Sequence, residues 1–295
     1  MVKLKLDAQC IPCILNHAYR IADKYIKDEE KKILYLKDLM RFIINTPLTK
    51  ASPYITAYSY RLLKSYINVE ENFDFYKEER MYFNKTLLNL VKDLEEIIKN
   101  SKDRLLTAVK IAAAGNIIDF GAFVNIEKDV MEKVIKPTLK KEFPMDVYDK
   151  FKKDLKSSKY LLYLGDNSGE VVLDMLLIKE IKNYNPDLQI IFATRGGYVL
   201  NDVTKEDAYM VGIDKFAIII DNGTDIPGTD LEEVSEEFMN WFRKADIIIS
   251  KGQGNFETLG DVHGHNIYFI FLCKCDLIMK KTNLKSLDIA FLNVE

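Results

Sequence analysis

Tyr160-Leu-Leu-Tyr-Leu-Gly-Asp-Asn-Ser-Gly-Glu-Val-Val-Leu-Asp174 is the stretch on which the fold turns. Its first five residues form a short apolar run with aromatics, the pattern of a buried strand. The run stops at Gly165, and the next five residues carry two carboxylates, an amide, a hydroxyl and a second glycine. Val171, Val172 and Met175 then resume at helical spacing, with Asp174 four residues after Glu170. Strand, polar turn and helix in immediate succession put side chains over the carboxyl edge of a sheet, where open α/β folds bind ligands. Acidic side chains at that edge suit a cation better than a bare phosphate, which asks for glycine amides and a lysine.

Downstream of this stretch, further apolar runs follow at 189–193, 216–220, 247–250 and 267–272, with a last short one at 288–292. Amphipathic helical patterns separate most of them, at 170–183, 204–210, 231–244 and near 256–262. Continuous apolar strands alternating with helices predict a mainly parallel sheet covered on both faces, Rossmann-like in layout, with the last run as an edge strand. Upstream the period is different. Ile14, Leu15, Ala18, Ile21, Ala22 and Ile26 make one helical stripe, and residues from Leu87 to Ile98 make another. Leu105 to Ala114 is denser and reads as a buried helix. The expected architecture is α/β: an all-helical N-terminal domain over 1–156, packed on a Rossmann-like domain over 157–295 that carries the ligand site.

The bulk numbers narrow the function classes. With 48% hydrophobic and 29% charged residues, the chain has a globular composition, and a net charge of −3 gives no electrostatic footprint for nucleic acid or an anionic membrane. No signal-peptide pattern opens the sequence and no apolar run is long enough to span a bilayer, so a cytoplasmic protein is expected. The dinucleotide fingerprint is absent, since Glu257 stands where Gly252-Gln253-Gly254 would need its third glycine. Walker A, G-x-S-x-G and H-E-x-x-H motifs are absent too. The four cysteines fall in two pairs, Cys10 with Cys13 and Cys273 with Cys275. These read as a zinc or redox pair on one side, and as small core residues on the other.

The strand-end loops carry the chemistry. Asp166, Asn167 and Glu170 follow the first strand, and Arg195, Asn201 and Asp202 follow the second. Lys251, Gly252, Gln253, Gly254, Asn255 and Glu257 follow the fourth, and Lys274 follows the fifth. Oxygen donors of this kind suit magnesium or manganese and tolerate cobalt or nickel. Lys251 and Lys274 are suitable counter-charges for phosphate oxygens, and the Gly252-Gln253-Gly254 turn admits backbone amides beside them. Each loop taken alone also reads as ordinary turn and cap chemistry, with Asp202 placed to cap the helix that begins at Thr204. In the helical half, Asn116 and Asp119 interrupt an apolar helix and share a face, either as local capping or as ligand contacts in an interdomain cleft.

In order, Cys10-Ile-Pro-Cys13, Gly115-Asn116-Ile-Ile-Asp119, Gly165-Asp166-Asn167-Ser-Gly-Glu170, Asn201-Asp202-Val-Thr and Lys251-Gly-Gln-Gly-Asn-Phe-Glu257 resemble the metal-dependent damage-control phosphatases. Within that family the chain is similar to the short archaeal and bacterial branch with an N-terminal Cys-x-x-Cys. The resemblance spans almost the whole sequence. It implies a divalent ion on Asp166, Asn167 and Asp202, a phosphate loop at Lys251 to Asn255, and a later lysine at Lys274. It implies small phosphometabolites as substrates, including sugar phosphates; the Arg-x-x-Lys signature of another branch is not evident.

The function expected is therefore hydrolysis of phosphomonoesters. Asp166 holds the strand-end position a covalent nucleophile needs, water is the other candidate, and Asp202 or Glu170 can act as base. Two rival readings remain at this stage, an S-adenosylmethionine-dependent methyltransferase and a non-catalytic metal- or metabolite-binding protein. Neither substrate identity nor oligomeric state is legible.

Overall fold

The strands position everything else: β1 (Tyr160–Leu164), β2 (Gln189–Thr194), β3 (Ile218–Asp221), β4 (Ile247–Lys251), β5 (Ile267–Leu272) and β6 (Ile289–Val294). They lie in one six-stranded sheet in the order β3-β2-β1-β4-β5-β6, in a computed structural model that describes residues 6–115 and 126–295. Every neighbouring pair is parallel except β5 with β6, which closes the edge antiparallel. The strand order reverses between β1 and β4, whose Leu164 and Ser250 are in register. A crevice opens at the carboxyl ends of two such strands, because their following chains leave to opposite sides.

The uninterrupted apolar strands follow from burial on both faces. Successive side chains alternate between two cores. Leu161 and Tyr163 enter one with Ile247, Ile249, Tyr268 and Ile270, while Leu162 and Leu164 enter the other with Ile248 and Phe269. The second core is covered by α12 (Glu236–Lys244), α13 (Gly252–Leu259) and α14 (Asp276–Thr282) through Phe238, Phe242, Phe256 and Ile278.

The first core is covered by α10 (Glu170–Tyr184) and α11 (Lys205–Val211), and also by helices from the N-terminal half. These are α4 (Lys77–Leu88), α5 (Val91–Asn100), α6 (Arg104–Gly115), the π-helical segment Val130–Ile135 that follows α7 (Ile126–Asp129), α8 (Lys136–Leu139) and α9 (Met145–Ser157). In α6, Ala108, Ala112 and Gly115 are small and buried, which brings α10 close. A Cβ on Gly115 would meet Glu170 Cγ at 2.8 Å. Thus the apolar core crosses the boundary expected at 156/157. Among the described residues, α1 (Cys10–Tyr25), α2 (Glu29–Asn45) and α3 (Ser52–Ile67) build a separate core on Ile14, Ala18, Ile21, Tyr35, Leu39 and Tyr60, which Val199 from the loop after β2 also enters.

Two local expectations change. The helix placed near 256–262 begins at Gly252, directly on the end of β4, because Gly252 takes a φ of +78° and turns the chain without a loop. The helix placed at 231–244 begins at Glu236, with Ser235 accepting the Phe238 amide as its N-cap.

Candidate active site

The loop after β1 and the loop after β2 are distant in sequence but stitched together. Val203 N donates to Asp166 O at 2.9 Å, and Ser168 N donates to Asn201 O at 2.9 Å. These bonds frame an antiparallel bridge between Asn167 and Asp202. The backbone thereby sets Asp166, Asn167 and Asp202 on one small platform at the strand-order reversal. Helix α4 steadies it from the helical half, since Asn84 Oδ1 accepts the Gly169 amide at 2.6 Å while Asn84 Nδ2 donates to Asp207 Oδ1 at 2.7 Å.

Around the platform lies a cavity of about 300 Å³. Asp166, Asn167, Leu200 and Asp202 line one side, and Gln253, Gly254 and Glu257 of α13 line another. Ser52, Pro53 and Thr56 of α3, with Pro227 and Lys274, complete it. Gly252 is needed under Asp166: a Cβ there would fall 2.0 Å from Asp166 Oδ2. Lys274 stands exposed at the rim, its backbone N–H donating to Gln253 Oε1 at 2.9 Å.

A larger cleft of about 740 Å³ lies between α3 and the loops after β2 and β3. Its cations are already engaged, Arg61 in an ion pair with Asp225 and Lys64 Nζ with the carbonyls of Glu71 and Tyr198.

The electrostatics of the platform fit a cation. Burial, with the charges of Glu170 and Asp202 added, holds the Asp166 carboxyl well above the usual range. Burial also pushes Asp202 up to about 6, against the pull of Arg195. Arg195 Nε donates to Asp202 Oδ2 at 2.6 Å, while its Nη2 stands 3.8 Å from Asp166 Oδ1 and has no hydrogen-bond partner. One guanidinium thus faces two buried carboxylates. Asn167 Nδ2 donates to Asp166 Oδ2 at 2.6 Å. Two carboxylates and an amide are hard oxygen donors of the kind magnesium and manganese take. Among the described residues no three His, Cys, Asp or Glu side chains gather to hold a metal.

The other residues named from the sequence are placed differently. Lys251 is fully buried and points away from the cavity: its Nζ donates to Glu170 Oε1 at 2.7 Å, Asp174 Oδ1 at 2.5 Å and Ala112 O at 3.0 Å. With its three donors taken, the side chain has none to offer a phosphate. This corrects its expected place beside Lys274. Glu170 is 1% exposed and belongs to the same ion cluster, so it does not line the cavity where a base is needed. Asn255 is also buried, its Nδ2 bonded to Gly165 O and Lys251 O and its Oδ1 accepting from Thr229. It ties the β1 and β4 loops together. Gly252 and Gly254 supply the tight start of α13 rather than an open loop.

Asp202 does not cap α11. Thr204 does, in a capping box with Asp207, which leaves the Asp202 carboxylate for the platform. Asn116 and Asp119 lie outside the described residues. All four cysteines are free thiols, Cys13 exposed and Cys273 buried. Two residues of this region carry no role in the sequence pattern, Arg195, buried behind the platform against Asp202, and Glu257, which lines the cavity. Position immediately after a strand was the only signal for the first, and the second read only as a broken fingerprint.

Comparison with known proteins identifies the family. The damage-control phosphatase ARMT1-like domain matches residues 6–288. An uncharacterized protein of Methanocaldococcus jannaschii is 36% identical over 283 residues, spanning 92% of this chain and 90% of its own length. A damage-control phosphatase of Archaeoglobus fulgidus is 30% identical over 283 residues, spanning 94% of this chain and 95% of its own. The crystal structure of a DUF89 family protein from Pyrococcus horikoshii superposes with a TM-score of 0.88 at 26% identity, covering 99% of each chain. With nearly its whole length matched, this chain belongs to the damage-control phosphatase family with the ARMT1-like domain, and it is a phosphatase.

Proposed function

We propose that Asp166, Asn167 and Asp202 hold a divalent cation, magnesium, manganese, cobalt or nickel, and that the adjoining cavity takes the phosphoryl group of a small phosphorylated metabolite. The observation that supports this most directly is the Asn167–Asp202 bridge, which brings two raised carboxylates and an amide to the strand-order reversal. A cation bound there supplies positive charge to the phosphoryl oxygens and to the attacking oxygen.

The chain's own groups do the rest. Arg195 fixes one oxygen of Asp202 and so aims the other. The N-terminal end of α13, whose Gln253 and Gly254 line the cavity, presents the positive end of a helix to an anion. Lys274 at the rim adds the cationic charge that Lys251 cannot supply. Asp202 is the residue placed to take a proton from an attacking water, and Asp166 sits where direct attack on phosphorus would come from. A cavity of about 300 Å³ admits a phosphoryl group with a short polyol or sugar, which is consistent with a phosphometabolite substrate.

The test is a panel of phosphometabolites against each divalent ion, with inorganic phosphate as readout. Release that depends on added metal and vanishes in Asp166→Ala supports the reading. Full activity after exhaustive chelation overturns it.

A further inference from the structure

Among the described residues, Glu257 is the one carboxylate lining the cavity outside the proposed ligand set. It sits on α13, whose residues 253, 254 and 257 fall on one helical face and all line the cavity. That helix starts at Gly252, on which the Asp166 carboxylate rests. Glu257 is five residues further along, roughly 7.5 Å down the helix axis from the Gly252 backbone at a rise of about 1.5 Å each. In-line displacement sets the attacking and leaving oxygens on opposite sides of phosphorus, so an acid for the leaving oxygen belongs on the side of the cavity away from the platform.

We propose that Glu257 is the general acid of the reaction, giving its proton to the leaving-group oxygen. The inference rests on the phosphatase site proposed above and assigns the opposite end of the cavity. The steps balance as follows. The attacking water oxygen bonds to phosphorus and its proton passes to Asp202. The bond from phosphorus to the leaving oxygen breaks, and its electron pair stays on that oxygen. The Glu257 carboxyl proton moves to it, so an alcohol departs, and solvent reprotonates Glu257 while Asp202 returns its proton to solvent.

The surroundings favour an acid there. Burial raises Glu257 above the ordinary glutamate value, while the Ser52 hydroxyl and the charge of Lys281 pull it partly back. Ser52 of α3 hydrogen-bonds Glu257 Oε2, which fixes the carboxyl group and leaves its other oxygen for the substrate. The facing charged and titratable groups are Cys10 of α1 and Lys281 of α14, with Asp166, Asp202 and Lys274 across the cavity. Behind it Lys50 is held by Asp230, Glu232 and Glu233, and Asp261 closes the same flank.

The experiment uses leaving groups of different basicity. A nitrophenolate departs without a proton, whereas an alkoxide does not. Manganese-loaded wild type and Glu257→Gln are compared on p-nitrophenyl phosphate and on glycerol phosphate. The expected result is a loss of 100-fold or more in kcat/KM on the alkyl ester, on the order of a full general-acid contribution, with less than about 5-fold on the aryl ester. Equal losses on both esters, or no loss on the alkyl one, overturn the proposal. So does a wild type that cleaves the aryl ester alone. A wild type that cleaves neither ester with any ion instead refutes the underlying phosphatase site. Should Glu257→Gln fold poorly by thermal melt, Glu257→Asp gives the same comparison with the acid set back by one methylene.

Discussion

Lys251 Nζ stands 2.7 Å from Glu170 Oε1, and neither side chain reaches solvent. Asp174, pushed up to about 6 chiefly by burial, completes the cluster, and Tyr163 donates its hydroxyl to Asp174 Oδ1 at 2.7 Å. The cluster ties β4 to α10 beneath the platform. Lys251→Met leaves two carboxylates buried without their cation, at a cost of about 3–5 kcal/mol. Urea denaturation should show that loss. A lysine that served phosphate would instead raise KM and leave the denaturation midpoint unchanged.

The platform itself should respond to metal as a folding unit does. Manganese at 100 times its Kd stabilises the protein that binds it by about 2.7 kcal/mol. Wild type should therefore gain in thermal midpoint on adding manganese. Asp166→Ala and Asp202→Asn should show neither that gain nor phosphate release, and Asp202→Asn should also lower the metal-free midpoint, because it leaves the buried Arg195 guanidinium without its paired carboxylate.

Gly252→Ala is a steric test of the same platform. The added Cβ falls on Asp166 Oδ2 and sits on a backbone at φ +78°, where a side chain is strained by roughly 1 kcal/mol or more. Displacing the carboxylate should weaken manganese binding at least tenfold by calorimetric titration, far beyond the stability lost. An unchanged affinity would separate Asp166 from the ligand set.

The pH profile carries a sign. Glu257 is held above the ordinary value by burial, so its acid form persists to higher pH than that of a solvated glutamate. The acid form is the one that donates, and the rate on an alkyl ester should fall as pH rises through the Glu257 pKa. The aryl ester should lack that descending limb, and Glu257→Gln should abolish it on the alkyl ester. A limb of equal size on both esters points to another group.

Most of the strands were legible because a run buried on both faces has to be apolar throughout, as Ile247–Ile249 and Ile267–Leu272 are. Asp166 and Asp202 were legible as strand-end acids. What the residues alone did not give was the pairing of the two loops, since the bonds at Asp166 O and Ser168 N are backbone bonds with no side-chain signature. Lys251 misled for a different reason. Alternation along β4 puts it on the same side as Ile247 and Ile249, into the layer under α6 and α10, while its place at the strand end suggested the mouth of the crevice. Glu257 was hidden because Gly252 and Gly254 read as a loop, which removed the helical face that carries Gln253, Gly254 and Glu257 to one wall.

The core that α5, α6, α8 and α9 share with one face of the sheet has a consequence for biosynthesis. Translation delivers those helices before β1 exists, so their apolar flank must wait bare, a ready client for a chaperone. The strand-bearing half, cut free at residue 157, would inherit the matching bare flank through Leu161, Tyr163, Ile249 and Ile270 and precipitate. A half recombined or duplicated on its own would therefore lack one wall of the cavity that Ser52 and Thr56 share with Asp166 and Gln253.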